Sequence, residues 1–222
     1  MKTLLSWSTG KDSAWALHLL RRQGVAVTGL FTTLNEAFAR VAMHGVRQDL
    51  VRRQAEAAGL PLTEIQIPWP CSNADYERIM GGFVADAVAQ GVTHMAFGDL
   101  FLRDIRAYRE QRLAGTGITP LFPVWDIPTD VLARDMKAAG LSAAITCLDP
   151  NKVPMRFAGR DFSEVAADGI ADVDPCGENG EFHTFCHAGP MFRTAIPIET
   201  GDVVTRDGFV FCDLRLAEAS PS

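Results

Sequence analysis

The sequence lacks any run of roughly 18 or more apolar residues, the length that a membrane-spanning helix needs. Its start, Met1-Lys2-Thr3-Leu4-Leu5-Ser6-Trp7, is too short an apolar stretch for a secretory signal. A cytoplasmic protein with no membrane partner is expected. Cysteine is sparse: Cys71, Cys147, Cys176, Cys186 and Cys212 are odd in number and form no C-x-x-C pair. That spacing excludes a disulfide framework and a structural zinc site. A basic excess is missing too, since 21 Lys+Arg against 27 Asp+Glu leave a net charge of −6. Backbone binding to nucleic acid depends on such an excess, so nucleic acid is not an expected partner. Two well-known phosphate loops, G-x-x-x-x-G-K-[ST] and G-x-G-x-x-G, are absent, which disfavours a switch GTPase and a dinucleotide dehydrogenase. There is no internal repeat and no low-complexity segment.

What is present is an ordinary globular composition: 222 residues, 47% hydrophobic and 22% charged. The first two-thirds alternates strand and helix patterns. Residues 3–7, a short apolar run, 25–33, apolar and β-branched, 62–67, stopped by Pro68 and Pro70, 93–97 and 121–125 read as five strands. Between them, residues 14–22, 46–58, 73–90 and 100–113 read as helices. The third helix is the clearest. Tyr76, Ile79, Met80, Phe83, Val84, Ala87 and Val88 share a stripe, and Ser72-x-x-Asp75 reads as a capping box. Strands separated by such helices build right-handed βαβ units. The expected fold is α/β, a Rossmann-like parallel five-stranded sheet with helices on both faces. After Pro128 the pattern changes. A helix at 129–139 and a strand at 142–148 precede a Gly- and Pro-rich stretch, 149–190, and a β ending, 196–216. A smaller α+β domain is expected there, dividing the chain into residues 1–126 and 127–222.

Two segments carry chemistry. The first, Ser8-Thr9-Gly10-Lys11-Asp12-Ser13, lies between the first strand and the first helix. Open parallel sheets bind ligands at the carboxyl ends of their strands. A helix N-terminus offers unpaired N–H groups and partial positive charge. Gly10 permits close backbone approach, the hydroxyls of Ser8, Thr9 and Ser13 add donors, and Lys11 adds a full charge. This suits an anion such as a phosphate. On these six residues alone, a loop in which Asp12 or Ser13 merely caps the helix beside a solvated Lys11 is an even competitor. Threonine resists positive φ, so position 9 is expected to hold an allowed backbone region.

The second segment, residues 174–185, packs Asp174, Glu178, Glu181, His183 and Thr184 around two glycines. If residues 181–185 are extended, Glu181, His183 and Phe185 share a face. A carboxylate beside an imidazole can form a general acid–base pair or help hold a metal. Composition alone favours a polar loop leading into a strand.

Both segments resemble known signatures. Residues 8–13 are similar to the S-G-G-K-D-S loop of the N-type ATP pyrophosphatases, with Thr9 in place of the first glycine. Gly177-Glu178-Asn179-Gly180-Glu181-Phe182-His183-Thr184 resembles the signature of the diphthine–ammonia ligase (diphthamide synthetase) family. Met43-His44-Gly45, residues 54–61 and Phe97-Gly98-Asp99 occur in the family's order. The resemblance implies a HUP-type nucleotide-binding domain over residues 1–126 and a substrate and catalytic domain over 127–222. It implies an AMP-forming ligase that adenylates a carboxylate, releases pyrophosphate and amidates the product with ammonium. ATP and magnesium are the cofactors implied. Ser8, Thr9, Gly10, Lys11, Asp12, Ser13, Gly98, Asp99 and Arg106 would hold the nucleotide, with Asp12 on the metal. Lys11, Glu178, Glu181 and His183 are the catalytic candidates, the last three as alternative proton acceptors. The carboxylate partner is a small molecule or a protein side chain, and a homo-oligomer is compatible with the sequence. No glutaminase sequence is apparent, so free ammonium is the expected nitrogen donor.

Two other functions compete. A tRNA sulfur transferase of the same superfamily would need a paired thiol, for which only Cys176 and Cys186 flank the signature. A non-catalytic ATP sensor would bind nucleotide without releasing pyrophosphate. Elsewhere, bland readings weigh more. His44 caps a helix or is solvated as readily as it contacts nucleotide, His18 is structural, and His94 belongs to a strand. Arg103, Arg106 and Arg109 repeat on one helix face with Asp104 and Glu110 nearby, so an ion-paired surface competes with phosphate binding. Trp7, Trp69 and Trp125 are read as packing residues.

Overall fold

In the computed structural model, which describes residues 1–37, 40–41 and 45–217, the chain forms a mixed α/β fold on two sheets. The first sheet contains β1 (Thr3–Ser6), β2 (Val27–Asn35), β3 (Arg40–Val41), β4 (Leu62–Ile67), β5 (His94–Ala96) and β6 (Thr119–Leu121). Five strands run parallel in the order β4-β2-β1-β5-β6. The two-residue β3 pairs antiparallel with the end of β2 at Leu34 and Asn35. Among the described residues the sheet thus has six strands, one more than the pattern predicts, because two residues are too few to show periodicity. The last strand also moves. It occupies Thr119–Leu121 rather than 121–125, and its Pro120 is tolerated because β6 is an edge strand.

Helices α1 (Lys11–Arg22), α2 (Gln48–Ala58), α3 (Asn73–Ala89) and α4 (Arg103–Leu113) lie between these strands in the chain. Alternation along the strands sorts them onto two faces. Leu5, Leu30 and Ala96 join Leu17 and Leu20 of α1 and Leu50 and Val51 of α2 in one core. Phe31 and Met95 join Phe83 and Ala87 of α3 and Leu113 of α4 in the other. The capping box is present: Ser72 Oγ accepts from the Asp75 N–H at 3.1 Å. Gly59 ends α2 in the left-handed conformation. Helix α1 starts at Lys11, three residues before its periodicity does, because Lys11, Asp12 and Ser13 present no apolar stripe. These residues therefore form the first turn of a helix rather than a preceding loop.

Beyond β6 come α5 (Thr129–Ala138), β7 (Ser142–Leu148), α6 (Ser163–Asp168), β8 (Phe182–Ala188), β9 (Ile198–Arg206) and β10 (Phe209–Leu216). The four strands form an antiparallel sheet in the order β8-β7-β10-β9. Its inner residues Ile145, Phe185 and Val210 belong to the same apolar cluster as Trp7 and Leu17. Strand β8 packs on α1, so the second sheet covers the helix that starts at Lys11. Among the described residues, no helix is long and apolar enough to cross a membrane.

Candidate active site

The turn from β1 into α1 is held from outside. The Thr9 carbonyl accepts from Gln54 Nε2 and from the Cys186 N–H, both at 2.9 Å. Gln54 is fully buried; it also donates to the Cys186 carbonyl at 2.6 Å and accepts from Trp7 Nε1 at 2.7 Å. With its carbonyl fixed on both sides, Thr9 takes φ +74, against the expectation from its branched side chain. Such a conformation costs of order 1–3 kcal/mol. The Thr9 hydroxyl is buried and makes no hydrogen bond.

The start of α1 has no side-chain cap at its N-cap residue, Gly10. The Lys11 N–H is instead met by Thr184 Oγ1 of β8 at 3.1 Å. Capping by Asp12 or Ser13 is therefore replaced by a contact from the second sheet. Lys11 is not solvated either. Its side chain is 2% exposed, and Nζ donates to Asp12 Oδ2 at 2.9 Å and to the Cys176 carbonyl.

A cleft of about 420 Å³ opens at the carboxyl ends of β1 and β5. The first turn of α1 contributes Lys11, Asp12 and Ser13, and the preceding turn contributes Ser8. Gly98 and Asp99 enter from the end of β5, and Arg109 from α4. Across the cleft, Cys176, Gly177 and Glu178 precede β8, which adds His183 and Thr184. Two glycines make this possible. A Cβ on Gly98 would lie 2.9 Å from the Ser13 nitrogen, so only glycine lets this loop meet the start of α1. Gly177 has φ +73, and its Cβ would lie 2.8 Å from the Phe182 carbonyl.

The charges in the cleft are strongly perturbed. Burial opposes the Lys11 ammonium, but Asp12 beside it, together with Cys176 and Glu178, outweighs this and holds its pKa above the ordinary value. Burial pushes Glu178 up to about 7, and Asp12 adds to the rise; the Leu100 N–H, donating at 3.2 Å, works the other way. Burial raises Asp99 as well, against the pull of Arg109. Burial, with Lys11 nearby, lowers His183, so its imidazole is neutral at neutral pH.

A divalent cation fits this setting. Asp12 Oδ1 and Asp99 Oδ2 are buried without a hydrogen bond, although Arg109 Nε lies 3.6 Å from the latter. Among the described residues, no group of three or more His, Cys, Asp or Glu could hold a metal alone. Magnesium rarely needs one, because it binds through one or two carboxylates with substrate phosphates and water.

Some expected residues do not meet at the cleft. Glu181 is 1% exposed and turned into its own loop, where Oε1 accepts from the Asp174 N–H at 3.2 Å and from Asn179 Nδ2 at 3.4 Å. Arg106 lies over the rings of Phe122 and Trp125, 4.7 Å from each centroid, and pairs with Glu110 at 2.8 Å. It is Arg109, one turn on, that reaches the cleft; the i+3 repeat held the signal but not the helix phase that selects among the three. Thr9 and Gly10 are buried within the turn and do not line the cleft. His44 and Met43 lie outside the described residues. Trp69 is 66% exposed, contrary to a packing role. Gln54 and Thr184 were missed as determinants of the turn. Gln54 gave a weak signal as a polar residue inside an otherwise apolar helical stripe.

An α/β protein with an anion-compatible helix start, facing carboxylates and an imidazole across a strand-end cleft, is thus the class that fold and site define. Residues 1–111, half of the chain, match the family described as diphthamide synthase N-terminal domain. The chain belongs to the diphthamide synthase family. No curated protein matches it.

Proposed function

We propose that this protein is an ATP-dependent, amide-forming ligase. The observation that carries the reading is the meeting of Lys11, Asp12 and Ser13 with Glu178 and His183 across one cleft, in a member of this family. Residues 1–126 hold the nucleotide, and residues 127–222 bring the proton-transfer groups. The phosphates of ATP occupy the cleft, facing Lys11, Ser8, Ser13 and the start of α1. Asp12 and Asp99 are the groups that would hold magnesium, which supplies charge neutralisation on phosphate oxygens.

The substrate carboxylate attacks the α-phosphorus, pyrophosphate leaves, and an acyl-adenylate forms. Ammonia attacks the acyl carbon and AMP leaves with the electron pair. Ammonium is mostly protonated at neutral pH, so a base must take its proton. Glu178 is placed in the cleft with a pKa near neutrality, which suits that task. The neutral His183 is a second acceptor beside it. Glu181 serves as a positioning residue that orders the loop carrying Glu178. Covering the cleft by the second sheet keeps water from the adenylate.

The sulfur-transferase alternative needs a reactive thiolate. Burial pushes Cys176 up to about 12 and raises Cys186 as well. The test of the ligase reading is AMP and pyrophosphate release from ATP with magnesium and ammonium, across a pool of carboxylic acids. Release that depends on one acid supports it. ADP with phosphate would refute it, and nucleotide binding without release under any condition would favour a sensor.

A further inference from the structure

Three hollows meet at Arg109. One is the cleft. A second, of about 330 Å³, lies at the end of β1 beside the later residues of β2; Ser6, Ser8, Thr32 and Thr33 edge it, with Phe31, Tyr76 and Met80 behind them. The third, of about 190 Å³, lies under α3 and α4 and is walled by Phe31, Tyr76, Met80, Val84, Phe97 and Tyr108. Arg109 lines all three.

The proposed nucleotide fills two of them. Its phosphates suit the charged cleft, and its ribose and base suit the hollow edged by hydroxyls and strand ends. The third hollow, apolar and aromatic, shares Phe31, Tyr76 and Met80 with the second and is left over once phosphates, ribose and base are seated. Its volume is that of a six-carbon group, since an engineered apolar cavity of about 150 Å³ holds benzene. Its charges select the sign of a ligand. Arg112 on its wall is already paired with Glu77. Arg109 is less engaged: its Nε is buried without a hydrogen bond, 3.6 Å from Asp99, and its guanidinium lies 4.9 Å from the Phe97 ring centre. A ligand here is apolar at one end and anionic where it meets Arg109.

We propose that this third hollow is the acid subsite. It takes the carbon skeleton of a monocarboxylic acid bearing a benzene-sized aromatic or branched aliphatic group. The carboxylate sits at Arg109, facing the phosphate cleft. The acid's role as the group to be amidated rests on the ligase reading; its binding does not.

The test is calorimetry on the full chain with phenylacetate, 4-methylpentanoate, acetate and succinate as probes, and separately with ATP. Two variants close the hollow. Gly81→Phe acts at its mouth on α3, where an added Cβ meets nothing within 4 Å. Val84→Phe fills it from the wall, and covers the case in which the first variant fails to fold. Phenylacetate or 4-methylpentanoate should bind at least about tenfold tighter than acetate or succinate, and the variants should weaken that binding about tenfold or more. ATP affinity should stay within about twofold. The proposal fails if the larger acids bind no better than acetate, or if they bind the folded variants unchanged. It also fails if the variants lose ATP, since the hollow would then be the base pocket. Selective acid binding in a chain that binds no ATP would support the subsite and sink the ligase reading.

Discussion

Asp213 and Glu178 place the same functional group in opposite surroundings. Asp213, on β10, is met by Arg47 Nη2 at 2.7 Å, Arg40 Nη2 at 3.0 Å and Arg215 Nε at 3.3 Å. Burial works to raise its pKa, but the three guanidinium groups prevail and bring it down to about 2. Glu178 has one backbone donor at 3.2 Å and two neighbouring aspartates, and burial lifts it to about 7. Around Asp213 charge is matched and joins β10 to β3 and to the start of α2. Around Glu178 matching is incomplete, with Asp12 and Asp99 also holding oxygens that lack hydrogen bonds. Sites that act on ligands commonly give up stability in this way.

The largest effect that would break this contrast is on nucleotide binding. Lys11→Ala should weaken ATP binding by about two orders of magnitude or more, as lost charge-assisted bonds to phosphate imply. Arg47→Ala should leave it within about twofold. Titration calorimetry checks both, and wild-type-like affinity in Lys11→Ala would remove the phosphate assignment. Next is turnover. Glu178→Gln should lower amide formation about 100-fold or more while ATP binding persists. With total ammonium fixed, the wild-type rate should climb as pH rises through about 7, where Glu178 loses its proton, and then level, whereas the variant, dependent on free ammonia, should keep climbing without that break. An unchanged profile would move the proton acceptor elsewhere.

Stability sharpens the contrast further, with opposite signs. Glu178 keeps its proton in the folded state to about pH 7, above the ordinary value of 4.5, so its contribution to stability falls as pH rises between those values. Glu178→Gln should therefore melt higher than wild type at pH 8. Asp213 shows the reverse. Its contribution is present above the ordinary value of 3.8 and is lost as pH falls toward about 2. Asp213→Asn should lower stability at neutral pH by about 1 kcal/mol, since its partners are partly exposed and solvent screens them. The smallest effect concerns Thr9. Thr9→Gly should raise stability by up to about 1 kcal/mol by relieving positive φ, offset by glycine's greater freedom when unfolded. A clear loss of melting temperature would show that the threonine is not strained there.

The parallel sheet was legible because β1 and β2 are apolar runs, β4 alternates between apolar and polar residues, and the helices between the strands are periodic. Residues 62–67 and 142–148 form strands with the expected bounds. The two-residue β3 and the proline-bearing β6 carry too little pattern to be seen. At the site, local signals revealed both chemical segments but not their joint geometry. That Thr184 seats Lys11, or that Gln54 pins Thr9, is a fact of packing between distant residues. Which of Arg103, Arg106 and Arg109 faces the cleft turns on where α4 begins, and periodicity leaves element ends loosely defined.

Thr184 follows Lys11 by 173 positions, and Cys186, which holds Thr9, comes later still. A ribosome delivers these partners in that order. The turn at Thr9 and the first amide of α1 thus emerge long before the strand that seats them has been translated. Until β8 leaves the exit tunnel, that amide faces water and one of the two donors to Thr9 is missing. The pocket is completed only when β8 arrives, so a nascent chain stalled short of that strand carries the lysine without the cradle around it.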